Sequence, residues 1–283
     1  GNAPEAAVEA AAGAQVAIVF APDYLTEGVD RRCLTLKCPP VYGDQDDLIR
    51  KVARANSQTV VVLETGGPVL TPWRGKVAGL LEAWYPGSSG GAAIARVLFG
   101  QTDPGGRLPA TFPKRESQLP TAGDKWLYPG VNDVLRYRDG VNVGYRSYLK
   151  RGVKPAFAFG HGLSYTRFRL GKPKMLPGGK GNIARLRLKV ENRGRRSGVA
   201  VPQVYLRQPG GRKTGPKLAG FARLRLAPGK ARSVTIPIPA REAQVFKPGK
   251  GWKLNRGCAE VLIGTSSQAI KARRTIRLPG CRR

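Results

Sequence analysis

The sequence predicts a partial α/β sandwich domain with a mostly parallel sheet, followed by an all-β sandwich. Short apolar runs alternate with amphipathic segments up to about residue 100, whereas beyond residue 183 apolar residues recur at every second position. A run rich in lysine, proline and glycine separates the two patterns and is typical of a linker. We therefore predict an α/β domain over 1–170, a linker over 171–182 and a β-sandwich over 183–283.

The first pattern consists of alternating strands and helices. Val and Ile dominate its strands, as expected where both faces of a parallel sheet are buried, and its first helix has acidic residues in the first turn. The predicted segments are a strand at 15–21, a helix at 44–55, a strand at 59–63, a third apolar run at 77–84 and a helix at 92–99. Residues 101–170 have little periodicity and are predicted as long ordered loops, which often carry functional sites.

The second pattern consists of short runs between glycine and proline turns, typical of about seven strands in a sandwich. Leu186, Leu188 and Val190 alternate with basic residues, so the two sets are expected on opposite faces. The predicted runs lie at 184–190, 201–206, 219–226, 233–238, 259–263 and 275–278.

The charge is strongly asymmetric. The chain has 49 Lys and Arg against 18 Asp and Glu, a net charge of +31. Residues 1–100 carry 9 basic and 10 acidic side chains, whereas residues 171–283 carry 28 and 3. Nucleic acid is not the predicted partner, because stacking aromatics do not interleave with the basic residues. No apolar stretch approaches the roughly 20 residues of a membrane-spanning helix.

The four cysteines form two local pairs, Cys33 with Cys38 and Cys258 with Cys281. Two disulfides, and hence an oxidising, extracellular location, are the preferred interpretation, with free buried thiols as the alternative. A metal site is not predicted, because Cys-x-x-Cys spacing is missing and His161 is the single histidine; no cofactor is predicted either. The chain starts at Gly1 without a recognisable signal peptide, so we expect a processed chain or a fragment.

A series of motifs in a characteristic order resembles the C-terminal α/β sandwich of glycoside hydrolase family 3. The following β region resembles the fibronectin type III-like domain of that family. The motifs are Thr26-Glu27-Gly28-Val29-Asp30-Arg31, Gly43-Asp44-Gln45, Thr59-Val60-Val61-Val62-Leu63, Gly66-Gly67-Pro68-Val69, Pro72-Trp73, Glu82-Ala83-Trp84-Tyr85-Pro86-Gly87, Val97-Leu98-Phe99-Gly100, Gly105-Gly106-Arg107-Leu108-Pro109, Thr111-Phe112-Pro113, Tyr128-Pro129-Gly130, Val143-Gly144-Tyr145-Arg146 and Phe159-Gly160-His161-Gly162-Leu163-Ser164-Tyr165-Thr166.

The resemblance implies a retaining, exo-acting β-glycosidase of the β-glucosidase type that hydrolyses terminal β-linked sugars. In this family an Asp on an N-terminal TIM barrel is the nucleophile and a Glu from the α/β sandwich is the acid/base, which corresponds here to Glu27. Retaining hydrolysis requires both carboxyl groups, about 5 to 5.5 Å apart. Neither the barrel nor the family's Ser-Asp-Trp pattern occurs in the chain, and Asp124-Lys125-Trp126 does not replace it. We therefore expect the C-terminal region of such an enzyme, inactive alone and completed by the TIM-barrel domain.

Other residues in these motifs have structural interpretations as well as functional ones. Asp30 and Arg31 are expected to anchor the loop, with shaping of the acid/base site as the alternative. A Cys33–Cys38 disulfide would restrain the same loop. His161 is expected to be a structural loop residue rather than a base. Some aromatics could stack on sugars or belong to the core, and the sequence leaves both open for Trp73, Trp84, Tyr85, Trp126 and Tyr145.

Two rival functions remain. The first is a serine esterase, because the segment Gly87-Ser88-Ser89-Gly90-Gly91 fits the Gly-x-Ser-x-Gly elbow of that class. Asp139 and His161 follow it in the order that α/β-hydrolases use. A lone motif of this kind is weak evidence. The second rival is a non-catalytic module that binds anionic polysaccharide through its basic strands. The alternative is that these basic residues form an ordinary solvated face. The basic residues concerned are Arg185, Arg187, Lys189, Arg223, Arg225, Arg273, Arg274 and Arg277.

One segment of the second domain departs from the family pattern. Where relatives have a Leu-Ser-Phe/Tyr-Trp/Tyr-Asp stretch, this chain has Ala243-Gln244-Val245-Phe246-Lys247. The local packing there is therefore not predicted.

Overall fold

A computed structural model describes residues 4–28, 31–38, 40–210 and 214–282. The chain divides into two compact units, one formed by residues 1–99 and 112–123 and the other by residues 100–111 and 124–283. None of the helices in the described ranges is long and apolar enough to cross a membrane.

The first unit is an α/β unit built on a three-stranded parallel sheet. Its elements are helix α1 (Pro4–Ala12), strand β1 (Ala17–Pro22), helix α2 (Gln45–Ala55), strand β2 (Thr59–Glu64), strand β3 (Gly79–Glu82) and helix α3 (Gly90–Leu98). The strand order is β1-β2-β3, with β2 in the centre. Both strand pairs are parallel, so the α/β prediction is confirmed.

Burial explains the position of β2 and α2. Val61, Val62 and Leu63 of β2 are almost fully buried, as expected for the central strand of a parallel sheet, whereas Ile18 and Phe20 of the edge strand β1 are exposed. Helix α2 begins where the Asp44 side chain accepts a hydrogen bond of 2.9 Å from the Asp47 backbone N–H. The buried face of α2 includes Ile49 and Val52, in agreement with the predicted periodicity.

The second unit is mostly β structure. Its regular elements are helix α4 (Tyr145–Arg151) and strands β4 (Phe168–Leu170), β5 (Lys174–Gly179), β6 (Asn182–Asn192), β7 (Gly198–Ala200), β8 (Gln203–Arg207), β9 (Lys217–Phe221), β10 (Leu224–Leu226), β11 (Ala231–Pro239), β12 (Gln244–Lys247), β13 (Gly251–Leu254), β14 (Cys258–Gly264) and β15 (Ile270–Arg277).

Two four-stranded antiparallel sheets enclose the core of this unit. One has the order β15-β14-β8-β9, and the other has the order β11-β6-β4 with β5 also paired to β6. Leu186, Leu188 and Val190 of β6 are buried in the same cluster as Val204 of β8 and Val261 of β14. The predicted two-residue alternation of β6 is therefore confirmed.

The linker predicted over 171–182 requires a correction. Strand β5 lies within this stretch and pairs with β6 from Lys174 to Gly179. Glycine and proline predicted an irregular segment, but β5 is an edge strand, where a proline is tolerated. A Cβ atom on Gly178 would overlap the carbonyl of Asn182, so the close hairpin requires glycine there. The boundaries proposed at 170 and 183 stay predictions.

The segment that departs from the family pattern forms a small hairpin. Strand β12 pairs antiparallel with β13, and the Phe246 ring lies 5.4 Å from the Trp252 ring in an edge-to-face arrangement. Ala243, immediately before β12, is fully buried.

Both predicted disulfides are present, Cys33–Cys38 in the first unit and Cys258–Cys281 in the second. The first closes a short loop after Glu27. The second joins the beginning of β14 to the segment that follows β15.

Candidate active site

Glu27 lies on a loop that leaves the C-terminal end of β1. It occupies a turn and is exposed, and Gly28 behind it has a φ of +80°. A side chain rarely adopts that φ, so the turn favours glycine next to the carboxylate. The carboxyl ends of parallel strands are where open α/β sheets bind their ligands. Glu27 is therefore available to a ligand at this edge of the sheet.

The ends of all three strands are joined beneath this loop by a buried carboxylate, Asp23. Its Oδ1 accepts hydrogen bonds from the Gly66 backbone N–H at 3.0 Å and from the Tyr85 hydroxyl at 2.6 Å. Its other oxygen forms an ion pair with Arg31, and both of these side chains are more than nine-tenths buried. We call Asp23, Arg31, Gly66 and Tyr85 the anchor cluster.

Arg31 connects the far side of the Glu27 loop to the sheet. Its Nη1 donates to the Pro68 carbonyl at 3.4 Å, in the segment after β2. Burial lowers the pKa of Arg31, and the electrostatic interaction with Tyr85 partly opposes this decrease. The predicted anchoring role of Arg31 agrees with these contacts, while Asp30 lies outside the described residues.

Gly66 is closely packed between two side chains. A Cβ atom there would lie 2.8 Å from Leu25 Cδ1 and 2.8 Å from Tyr85 Cε2. Leu25 is two residues before Glu27, so the side chain of Leu25 and the Tyr85 ring close over the same glycine. The Glu27 loop is thereby packed against the ends of β2 and β3.

Glu82, at the end of β3, is a second carboxyl group near this edge. Burial raises its pKa to about 7. Hydrogen bonds from the Trp84 backbone N–H and the Thr65 hydroxyl favour the charged form, but their effect is smaller than that of burial. The Trp84 N–H lies 2.9 Å from Oε1. Trp84 has a φ of +56°, and its ring packs edge-on against Phe112. Glu82 thus holds an unusual turn that leads directly into Tyr85.

The segment after Glu27 has several anchors besides its disulfide. The Leu34 N–H donates to Glu116 at 2.7 Å, and the Leu70 N–H donates to the Leu34 carbonyl at 2.8 Å. Leu36 is buried, and its N–H donates to Asp46 at 3.1 Å. The Cys33–Cys38 disulfide therefore adds to a loop that backbone hydrogen bonds already position.

The five candidate sugar-stacking aromatics differ in environment. Trp73 is almost fully buried and donates to Asp46 at 2.7 Å, and Tyr145 stacks on Phe159. Trp126 lies under the guanidinium of Arg136, 3.9 Å from the ring centre. Trp73 is therefore a core residue and Tyr145 is half-buried against Phe159, whereas Tyr85 is exposed near the Glu27 loop.

The contacts of His161 are those of a structural residue. Its ring packs against Phe157, and its backbone carbonyl accepts from the Leu108 N–H at 2.9 Å. Burial and the charge of Arg107 lower its pKa. Arg107 donates to the carbonyls of Gly106 and Val199, so the Gly-Gly-Arg-Leu-Pro and His-Gly-Leu motifs meet to support the β-sandwich unit.

Within the described ranges of the chain, no contact activates Ser89, the serine of the rival esterase motif. Ser89 is exposed at the start of α3 and makes no side-chain capping hydrogen bond. A Cβ atom on Gly90 would lie 2.6 Å from Pro86 Cγ, which explains a glycine of this motif by packing. No observation therefore favours the esterase.

Asp23 and Glu82 are site residues that the sequence reasoning did not single out. Asp23 follows β1 directly and Glu82 ends β3, and polar residues at the carboxyl ends of parallel strands were the signal that could have identified both.

Comparison with known proteins agrees with the fold and the motifs. Residues 2–165 match the model of the glycosyl hydrolase family 3 C-terminal domain, and residues 200–267 match the model of the fibronectin type III-like domain. The chain is 39% identical over 259 residues to a β-glucosidase of Rhizobium radiobacter, covering 90% of this chain and 31% of that protein. It is 36% identical over 280 residues to thermostable β-glucosidase B of Acetivibrio thermocellus, covering 96% and 36%.

Solved structures show the same relationship. A β-glucosidase of Streptomyces venezuelae in complex with D-glucose superimposes with a TM-score of 0.92 at 40% identity, over 98% of this chain and 35% of that one. β-Glucosidase 3B of Thermotoga neapolitana, in complex with α-D-glucose, has a TM-score of 0.85 at 32% identity, over 98% and 39%. The chain thus spans about a third of the length of the curated relatives it matches. It belongs to glycosyl hydrolase family 3 and consists of that family's C-terminal domain and a fibronectin type III-like domain.

Proposed function

We propose that the chain is part of a retaining, exo-acting β-glucosidase and supplies Glu27 as the acid/base. The nucleophile is an Asp on a TIM-barrel domain that these 283 residues do not include. The observation that carries the proposal is the position of Glu27, exposed on a loop at the carboxyl edge of a parallel sheet and within the residues that match the family model. The substrate class is a terminal β-linked glucoside, as the names of the relatives suggest.

The proposed reaction has two steps. In the first, the barrel Asp attacks the anomeric carbon while the Glu27 carboxylic acid gives its proton to the departing glycosidic oxygen. In the second, the Glu27 carboxylate removes a proton from water, which attacks the anomeric carbon and releases the Asp. Glu27 ends the cycle protonated, as it began.

The anchor cluster supports this mechanism by restraining the loop. Hydrolysis requires the acid within hydrogen-bonding reach of the leaving oxygen, and small displacements lower the rate steeply. Asp23 and Arg31 are buried and paired on either side of Glu27 along the chain, so both ends of the loop are held. Asp23, Arg31 and Tyr85 are therefore assigned as positioning residues.

The decisive experiment compares Glu27→Gln with the unmodified enzyme in the intact protein, including its barrel. For cellobiose, whose leaving group needs a proton, kcat/KM is expected to fall at least about 100-fold. For an aryl glucoside with a good leaving group, the first step should survive and a burst of phenol should precede slow turnover, because the glycosyl-enzyme accumulates.

Glu9→Gln provides the matched control, since Glu9 is an exposed carboxylate on α1. This variant should keep both activities. Unchanged hydrolysis of both substrates by Glu27→Gln would refute the assignment of the acid/base. The 283-residue chain alone is expected to be inactive on either substrate, because it provides one of the two carboxyl groups that the mechanism requires.

An extracellular, oxidising location belongs to the same proposal. Both cysteine pairs form disulfides, and such bonds persist mainly in secreted proteins. Fractionation of the native host with thiol labelling tests this point: the enzyme should be found outside the cytoplasm without free thiols, and reduced enzyme in the cytoplasm would contradict it.

A further inference from the structure

The outer face of β6 and its neighbours carries a group of unbalanced positive charges. Arg185, Arg187 and Lys189 point outward from β6, while the residues between them are buried in the core. Alternate residues of a strand lie about 6.7 Å apart, so these three cations are regularly spaced along β6. The register places Lys174 of β5 directly opposite Arg187.

Like charges directly opposite each other on antiparallel strands are destabilising. Lys174 and Arg187 are such a pair, and both are exposed. On the other side of β6, Ser233 is opposite Lys189 and Thr235 is opposite Arg187. Short hydroxyl side chains leave the cations accessible but provide no negative charge.

The acidic side chains of residues 171–283 already form ion pairs with other basic residues. Residues 171–283 contain three carboxylates, and each forms an ion pair: Glu191 with Arg169 and Arg193, Glu242 with Lys217, and Glu260 with Arg207 and Arg273. Within the described part of the chain, no carboxylate lies within ion-pairing distance of Lys174, Arg187 or Lys189. These three residues, which we call the cationic row, therefore lack a counter-charge from this region.

The chemistry of the face limits the class of partner. Among the described residues of β5, β6 and β11, no tryptophan, tyrosine or phenylalanine is present, so bases of single-stranded nucleic acid find no stacking platform. A repeating anionic chain, in contrast, needs only accessible cations at regular spacing, and guanidinium groups bind carboxylates well.

We propose that the cationic row binds a linear acidic polysaccharide that carries carboxylate groups. This binding is independent of the glycosidase chemistry proposed for Glu27. It would hold the enzyme on an anionic carbohydrate matrix while the complete active site acts on neutral glucosides.

The test measures the affinity of the 283-residue chain for polygalacturonate. The triple variant Lys174→Gln, Arg187→Gln and Lys189→Gln is expected to bind at least about tenfold more weakly, because it removes the contacts that release bound counter-ions. Affinity of the unmodified chain should also fall steeply with added salt. Arg185 is kept, since its Nε donates to the Pro177 carbonyl at 3.1 Å and has a structural partner.

A matched control removes the same charge elsewhere. Lys247, Lys250 and Lys253 are exposed on and around the β12–β13 hairpin, and their replacement by Gln should change the affinity less than about threefold. Equal losses in both triple variants would show that only net charge matters and would overturn the proposal. Absence of polygalacturonate binding at low salt would also overturn it, as would tighter binding of oligo(dT) through the same three residues. Unchanged unfolding midpoints establish that the variants are folded.

Discussion

At the scale of single residues, Glu82 shows how burial changes a carboxyl group. Its pKa is raised to about 7 from 4.5, because burial disfavours the charge more than the hydrogen bonds from Trp84 and Thr65 favour it. Between these two pH values the folded protein keeps a proton that the unfolded chain loses. The free energy of unfolding therefore decreases as the pH rises through this interval.

We predict that Glu82→Gln removes this part of the pH dependence. From about pH 4.5 to about pH 7, the unmodified protein should lose about 3 kcal/mol relative to the variant, and the difference should level off above pH 7. Urea unfolding at several pH values measures it. Parallel stability profiles for the two proteins would contradict the assignment, and Glu9→Gln serves as the exposed control.

The sequence alone predicted the roles of some residues, such as the cysteines, but not those of others, such as Trp73. The cysteine pairs were predicted from number and spacing, because a disulfide needs only two nearby thiols. Trp73 could not be assigned, since burial under α2 and a hydrogen bond to Asp46 depend on chain packing. The role proposed for Glu27 came from its motif, because an exposed carboxylate in a loop has no local property that marks it.

At the scale of elements, the accuracy of the prediction depended on which interactions form each strand. Strands β1 and β2 were predicted from their short apolar runs, and β6 was predicted from the two-residue alternation that burial in a core imposes. Strands β5, β12 and β13 were missed, since they are short or edge elements rich in glycine, lysine or proline. Their formation depends on pairing with a neighbour, and composition does not reveal that pairing.

The two disulfides differ in the length of the segment that they close. Their sequence separations are 5 for Cys33–Cys38 and 23 for Cys258–Cys281. Loop-closure entropy predicts stabilisation of about 2 and about 3.5 kcal/mol. We therefore predict that the double Cys→Ser variant of the second pair loses more stability than that of the first.

Denaturant unfolding of both double variants measures this difference. The first variant should lose about 2 kcal/mol of stability but keep its local structure, because Leu34 and Leu36 keep their hydrogen bonds. A larger loss from the first pair than from the second would contradict the entropic explanation.

At the scale of the whole molecule, charge is the dominant feature. A net charge of +31 on a chain of 30.5 kDa implies self-repulsion in the folded state. Residues 1–100 are nearly neutral, so the repulsion is concentrated in the remaining, β-rich part of the chain.

Salt is therefore expected to stabilise the chain. Raising sodium chloride from about 20 mM to about 500 mM shortens the screening length several-fold and should raise the Tm by a few degrees. Calorimetry measures this shift, which should be smaller in the triple variant of the cationic row. A decrease of Tm with salt would indicate that the surface ion pairs outweigh the repulsion.

The Cys258–Cys281 bond has a further consequence for a protein exposed to proteases. It closes a covalent ring around the turn between β14 and β15, and β15 is rich in the basic residues after which trypsin cleaves. A single cut inside this ring leaves one covalently joined molecule, with both strands still attached to the sandwich. A clipped enzyme would therefore keep its mass on a gel until a reducing agent separates the two pieces.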